Sequence, residues 1–122
     1  VGGAYVILRV GDLIDETGTP RTVQRDFANP SGTGNTEVVA AQGAGVRIRV
    51  LSFFIVTTAA NSVKFQSATT DISPTCPFAA NGGIAQAGNP HGEFQTAVNE
   101  ALNVNLSVAT ATGINVVWVQ AT

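Results

Sequence analysis

Alternation constrains this chain more than any other feature. Val46, Ile48, Val50, Ser52, Phe54 and Val56 fall on one parity. Leu102, Val104, Leu106 and Val108 do the same, with Asn103, Asn105 and Ser107 between them, and Ile114, Val116 and Trp118 repeat the pattern. A period of two places one set of side chains on a buried face and the other on the opposite face of a strand. No segment carries convincing helical periodicity. The six residues from Val46 to Val56 that share a parity are therefore expected to point the same way, toward the core.

Strands are expected at 5–10, 22–27, 36–42, 46–57, 62–68, 83–87, 92–96, 101–109 and 113–120. The connectors carry turn chemistry: Gln42-Gly43-Ala44-Gly45, Ala60-Asn61, Asn81-Gly82-Gly83, Asn89-Pro90-His91-Gly92 and Thr112-Gly113. Short strands at this spacing predict an all-β, jelly-roll-like β-sandwich. Residues 11–35 are polar and punctuated by Gly and Pro, and they contribute few apolar side chains. The expected division is an N-terminal strand and polar arm or long-loop region over 1–35, and a β-sandwich body over 36–122. Both faces of the 46–57 strand become apolar after Val50, as in a central strand or one that enters a subunit interface. A single helical turn at 97–102 would not change the class.

Charge narrows the function classes. Charged residues are 11% of the 122, against a usual share of about 25%, and the formal net charge is −2. A nucleic-acid footprint needs clustered Lys and Arg, so none is expected. No apolar run approaches the roughly 18 residues of a membrane span, and Arg9 interrupts the first apolar stretch, so neither a span nor a secretory signal is expected within the chain. The surface polarity must come from Asn, Gln, Ser and Thr. Neutral amides and hydroxyls cost less to desolvate than ions, which suits an exterior covered by other subunits or a neutral secreted β-domain.

Reactive residues are sparse. His91 is the one histidine and sits in a turn; no Gly-x-Ser-x-Gly elbow exists, so a Ser-His-Asp triad has little to stand on. Cys76, the one cysteine, lies between Pro74 and Pro77 and reads as a small apolar filler rather than a reactive thiol or inter-subunit bridge. One Cys and one His do not make a zinc site. Asp12, Asp15 and Glu16 could approach a hard cation but match no calcium loop and read as turn formers. Glu93 and Glu100 could be proposed as a glycosidase pair, yet both lie beside turn residues. No catalytic residues, cofactor or metal are expected, and the chain is not expected to be an enzyme. Arg47 and Arg49 share one face of a strand. They fit either carboxylate pairing across an interface or a solvated face that resists edge pairing. Trp118 and Phe94 read as core, with Trp118 also a candidate interface anchor.

A succession of short motifs resembles a known family. It runs from Val46-Arg47-Ile48-Arg49-Val50-Leu51 through Asn61-Ser62-Val63-Lys64-Phe65-Gln66-Ser67 to Ala80-Asn81-Gly82-Gly83-Ile84. It continues through Asn89-Pro90-His91-Gly92-Glu93-Phe94-Gln95-Thr96 and Asn99-Glu100-Ala101-Leu102-Asn103-Val104-Asn105-Leu106-Ser107. It closes on Gly113-Ile114-Asn115-Val116-Val117-Trp118-Val119. Over residues 36–122 this order resembles the small capsid decoration, or cement, proteins of tailed bacteriophages, which have a jelly-roll body.

The resemblance implies a virion structural protein on the capsid exterior. It would bind the major capsid protein as a homotrimer and clamp neighbouring capsid subunits, without nucleic acid or membrane as partner. Joining three weak sites in a trimer raises avidity by about 10²–10⁴. The alternative is a carbohydrate- or receptor-binding virion appendage in a head fibre or tail, which the jelly roll also supports. Its usual exposed aromatics are few here. The 11–35 segment lies outside the resemblance and is expected to reach along a neighbouring subunit, so that its deletion removes capsid binding and leaves the body folded. The interface candidates are Arg21, Arg25, Phe27, Arg47, Arg49 and Trp118.

Overall fold

Leu102, Val104 and Leu106 point inward from one strand while Asn103 and Asn105 point outward, and the same two-residue rhythm builds both layers of the molecule. The computed structural model describes residues 12–14 and 20–122. The strand expected at 5–10 lies outside them, as do Asp15 and Glu16. The fold is an all-β sandwich of two antiparallel sheets. A separate two-stranded ladder joins β1 (Asp12–Ile14) to β2 (Pro20–Thr22).

The remaining strands are β3 (Gln24–Ala28), β4 (Gly34–Val39), β5 (Arg47–Thr57), β6 (Asn61–Ser67), β7 (Thr70–Asp71), β8 (Cys76–Phe78), β9 (Gly83–Gln86), β10 (Phe94–Gln95), β11 (Leu102–Leu106) and β12 (Thr112–Ala121). The first sheet runs β10-β5-β12-β3, with β9 beside β10 on the same neighbour β5; the second runs β4-β11-β6-β7, with β8 also on β6. The pairs β3·β12, β4·β11, β5·β9/β10 and β6·β7/β8 are nested, first with last and inner with inner. This nesting is the jelly-roll topology: one long antiparallel hairpin rolled so that successive pairs fall in opposite sheets.

Strand β3 gives one correction to the sequence reading. The expected 22–27 strand starts at Gln24, because Thr22 belongs to β2. A boundary at residue 35 cuts a sheet, since β3 pairs with β12 from Ala28↔Ile114 to Gln24↔Trp118. Ala28 packs on the core and Pro30 is buried. Deleting 11–35 therefore strips an edge strand from the sandwich, and the body is not expected to survive it intact.

A second correction concerns parity. Ile48 and Val50 are buried, but so is Leu51, and the ladder with β12 shifts register there: Ser52 faces Val117 while Val50 faces Trp118. Leu51 is the extra residue of a β-bulge, and one extra residue reverses every side chain beyond it. Phe53, Ile55 and Thr57 turn inward, and Phe54 and Val56 turn outward. A matching bulge at Val38 lets Val38 and Val39 both be buried on β4.

The β5 bulge also explains why its partner on that edge is two short strands. β9 pairs with Phe53–Val56 and β10 with Arg49–Val50. Between them the 89–93 turn takes up the freed carbonyls: Asn89 N–H donates to Leu51 O at 2.9 Å and Glu93 N–H to Val50 O at 2.7 Å. Asn89 holds this turn, accepting from His91 N–H and donating to Gly92 O. Gly92 has φ +88°, and the stem of Arg49 lies where its Cβ would be.

β7 and β8 were not expected as strands. Pro77 lacks an N–H and is tolerated only because β8 lies at a sheet edge. The expected 101–109 strand stops at Leu106, leaving Val108 exposed. The 97–101 segment is a turn, with Asn99 at φ 54°, rather than helix. The core joins Ile48, Val50, Ile55, Val63, Phe65, Leu102, Val104, Leu106, Ile114, Val116 and Trp118 across both sheets.

Candidate interaction surface

The outer faces of the two sheets differ in chemistry. On the second sheet Asn35, Glu37, Asn103, Asn105, Lys64 and Gln66 share the outward parity. Asn105 Nδ2 donates to Asn35 Oδ1 at 2.6 Å and Asn103 Nδ2 to Ala68 O at 2.8 Å. Lys64 Nζ pairs with Asp71 Oδ2 at 3.1 Å, and Gln66 Nε2 donates to Asp71 Oδ1 at 2.6 Å. Those two bonds, the Gln66 amide first, hold the Asp71 carboxyl below its ordinary value. This face is a hydrogen-bonded polar lattice, in which Gln66 Oε1 is buried without a partner among the described residues.

The outer face of the first sheet is mostly apolar. Its register aligns Phe27, Asn115, Phe54 and Ala85 in one row across β3, β12, β5 and β9. Arg25, Val117 and Ser52 form the row beside it, and Gly113, Val56 and Gly83 the row on the other side. Phe27 is 72% exposed, Val56 51% and Phe54 44%. Large apolar side chains collected on one open sheet face mark interaction sites more often than solvated surface. A shallow depression of about 300 Å³, lined by Asn29, Val56, Thr58, Ala111, Thr112 and Gly113, ends the patch where Gly113 removes a side chain.

Two of the six candidates from the sequence meet on this face. Phe27 lies in the central row and Arg25 beside it; among the described residues Arg25 is exposed and has no hydrogen-bond or ion-pair partner. Arg47 and Arg49 lie on the same side of β5 before the bulge but bond within the chain. Arg49 Nη2 and Nε donate to Gln95 Oε1 at 3.0 and 3.2 Å, and Arg47 Nη1 to Thr96 O at 3.3 Å. They brace β10. Arg21 is on β2, half-buried and partnered. Trp118 leaves the interface set: it is 2% exposed, and its indole N–H donates to Asp26.

Phe54 and Val56 were missed as surface residues because the unbroken parity assigned them to the core. The signal lies in the five-residue stretch Val50-Leu51-Ser52-Phe53-Phe54, where both parities carry apolar side chains. His91 is exposed in the 89–92 turn, whereas Cys76 is on β8 in the other sheet. Glu93 accepts from Gln86 Nε2, and Glu100 accepts from the Ser67 hydroxyl at 2.6 Å. Among the described residues no group of three or more His, Cys, Asp or Glu side chains could hold a metal ion.

A comparison with protein-family models, curated proteins and solved structures finds no match to this chain.

Proposed function

We propose that this protein is a structural component of a tailed-phage virion that binds the outer surface of the capsid and stabilises it, acting as a homotrimer. The observation that carries the reading is the contrast between the two outer faces. One is a hydrogen-bonded polar lattice. The other presents Phe27, Phe54 and Val56, with Arg25 the single charged side chain in its three rows. A partner seated there gains apolar burial and desolvates few ions. The motif resemblance over 36–122 supports the capsid as that partner. The residues that carry it are used here as fold devices: Asn89 and Gly92 close the turn over the bulge, and Phe94 enters the aromatic core.

The test combines mass and binding. Light scattering after size exclusion is expected to give three times the chain mass. Wild type is expected to co-sediment with tailed-phage capsids stripped of their decoration protein. Phe54→Asp and Phe27→Asp are expected to abolish co-sedimentation, and Asn105→Asp on the opposite face to retain it. A monomer that ignores stripped capsids, or full binding by both aspartate variants, overturns the reading.

A further inference from the structure

The two sheets do not seal against each other where the short strands β7 and β8 face β9 and β10. An apolar pocket of about 280 Å³ opens there. Ile55 and Phe65, both fully buried, form its floor; Phe53, Phe94 and Ile84 form its walls; Cys76 and Glu93 stand at its rim. Close-packed interiors contain few voids larger than a water molecule. An apolar cavity of about 150 Å³ already accepts benzene. This one is nearly twice that size and lies near the lower bound of ligand pockets.

We propose that this pocket binds a small bicyclic aromatic molecule bearing a cationic or uncharged polar end, such as an indole amine. Three observations select that class. The volume suits two fused rings rather than one. The lining holds a ring cluster: Phe53–Phe65 centroids are 5.2 Å apart at 66°, Phe65–Phe94 5.1 Å at 36°, and Phe53–Phe94 5.7 Å at 49°. Such a cluster offers both edges and faces to a flat guest. Among the described residues Glu93 is the one charged residue lining the pocket, and a bond from Gln86 at 3.2 Å engages one of its oxygens. Its carboxylate favours a donor or cation at the mouth and disfavours an anion. The pocket lies between the sheets, so the proposal stands independently of the capsid reading.

Calorimetric titration of the full chain with tryptamine, indole and indole-3-acetate tests it. Saturable one-to-one binding is expected, strongest for tryptamine and weakest for indole-3-acetate, with steps of about two- to fivefold. Glu93→Gln is expected to erase that order and keep indole binding. Ile84→Trp fills the opening from an exposed strand and is expected to weaken tryptamine at least about tenfold, with circular dichroism showing the fold retained. In the unaltered protein, saturating tryptamine is expected to slow alkylation of Cys76 by N-ethylmaleimide. No saturable binding at millimolar tryptamine, or unchanged Cys76 alkylation under saturation, overturns the site. Tightest binding by indole-3-acetate overturns the assigned charge.

Discussion

The indole N–H of Trp118 donates a 2.8 Å hydrogen bond to Asp26 Oδ2, a carboxylate 92 residues earlier in the chain. Trp118 is in the core, and β3 supplies the acceptor from the sheet edge. A buried indole N–H without a partner is costly. Asp26→Ala is therefore expected to destabilise the fold by about 1–3 kcal/mol in urea unfolding. Asp26→Asn keeps an acceptor and is expected to lose less. Equal losses for the two would mean that the bond contributes little.

The bulge at Leu51 makes neighbours on one strand behave oppositely. Phe53 packs against Phe65 and Phe94, whereas Phe54 is exposed. Phe53→Ala is expected to cost about 2–3 kcal/mol. Phe54→Ala is expected to cost less than about 1 kcal/mol. Chemical denaturation of the pair reads the phase of the strand directly, and the reverse ranking would place the bulge elsewhere.

Gly83 allows β9 to lie flush on β5. A Cβ at that position would strike the carbonyl oxygen of Ile55 and approach Val56 Cα at 3.1 Å, both backbone atoms that cannot swing away. Gly83→Ala is expected to destabilise by about 1–3 kcal/mol. Hydrogen exchange is expected to quicken in β9 while the β11 amides stay protected.

Asp71 predicts a small acid dependence. Its carboxyl is held below the ordinary 3.8, first by the Gln66 hydrogen bond and then by Lys64. A folded-state depression stabilises above the unfolded value and is lost as pH falls through the folded one. Thermal midpoints of wild type and Asp71→Asn are expected to differ near neutrality and to converge as pH drops below 3.8. Solvent around the exposed pair keeps the difference small. A gap that persists in acid would assign the effect to shape rather than charge.

The sequence by itself determined the all-β class, because the alternation in 102–106 and 112–121 is a local property of side chains on a pleated backbone. It also located the long β5 and the turns at 81–83 and 89–92, where Asn and Gly supply geometry that other residues resist. Pairing decided the rest. A bulge exists only relative to a partner strand, so the outward turn of Phe54 and Val56 followed from the register with β12. The edge strands β7 and β8 are too short to show a period, and neighbouring β6 defines them. Phe27 and Phe54 share a row because β12 stands between β3 and β5, and the Trp118 indole finds its acceptor in Asp26 because β3 returns beside β12. Composition could not place these residues, since each depends on contacts between segments far apart in the chain.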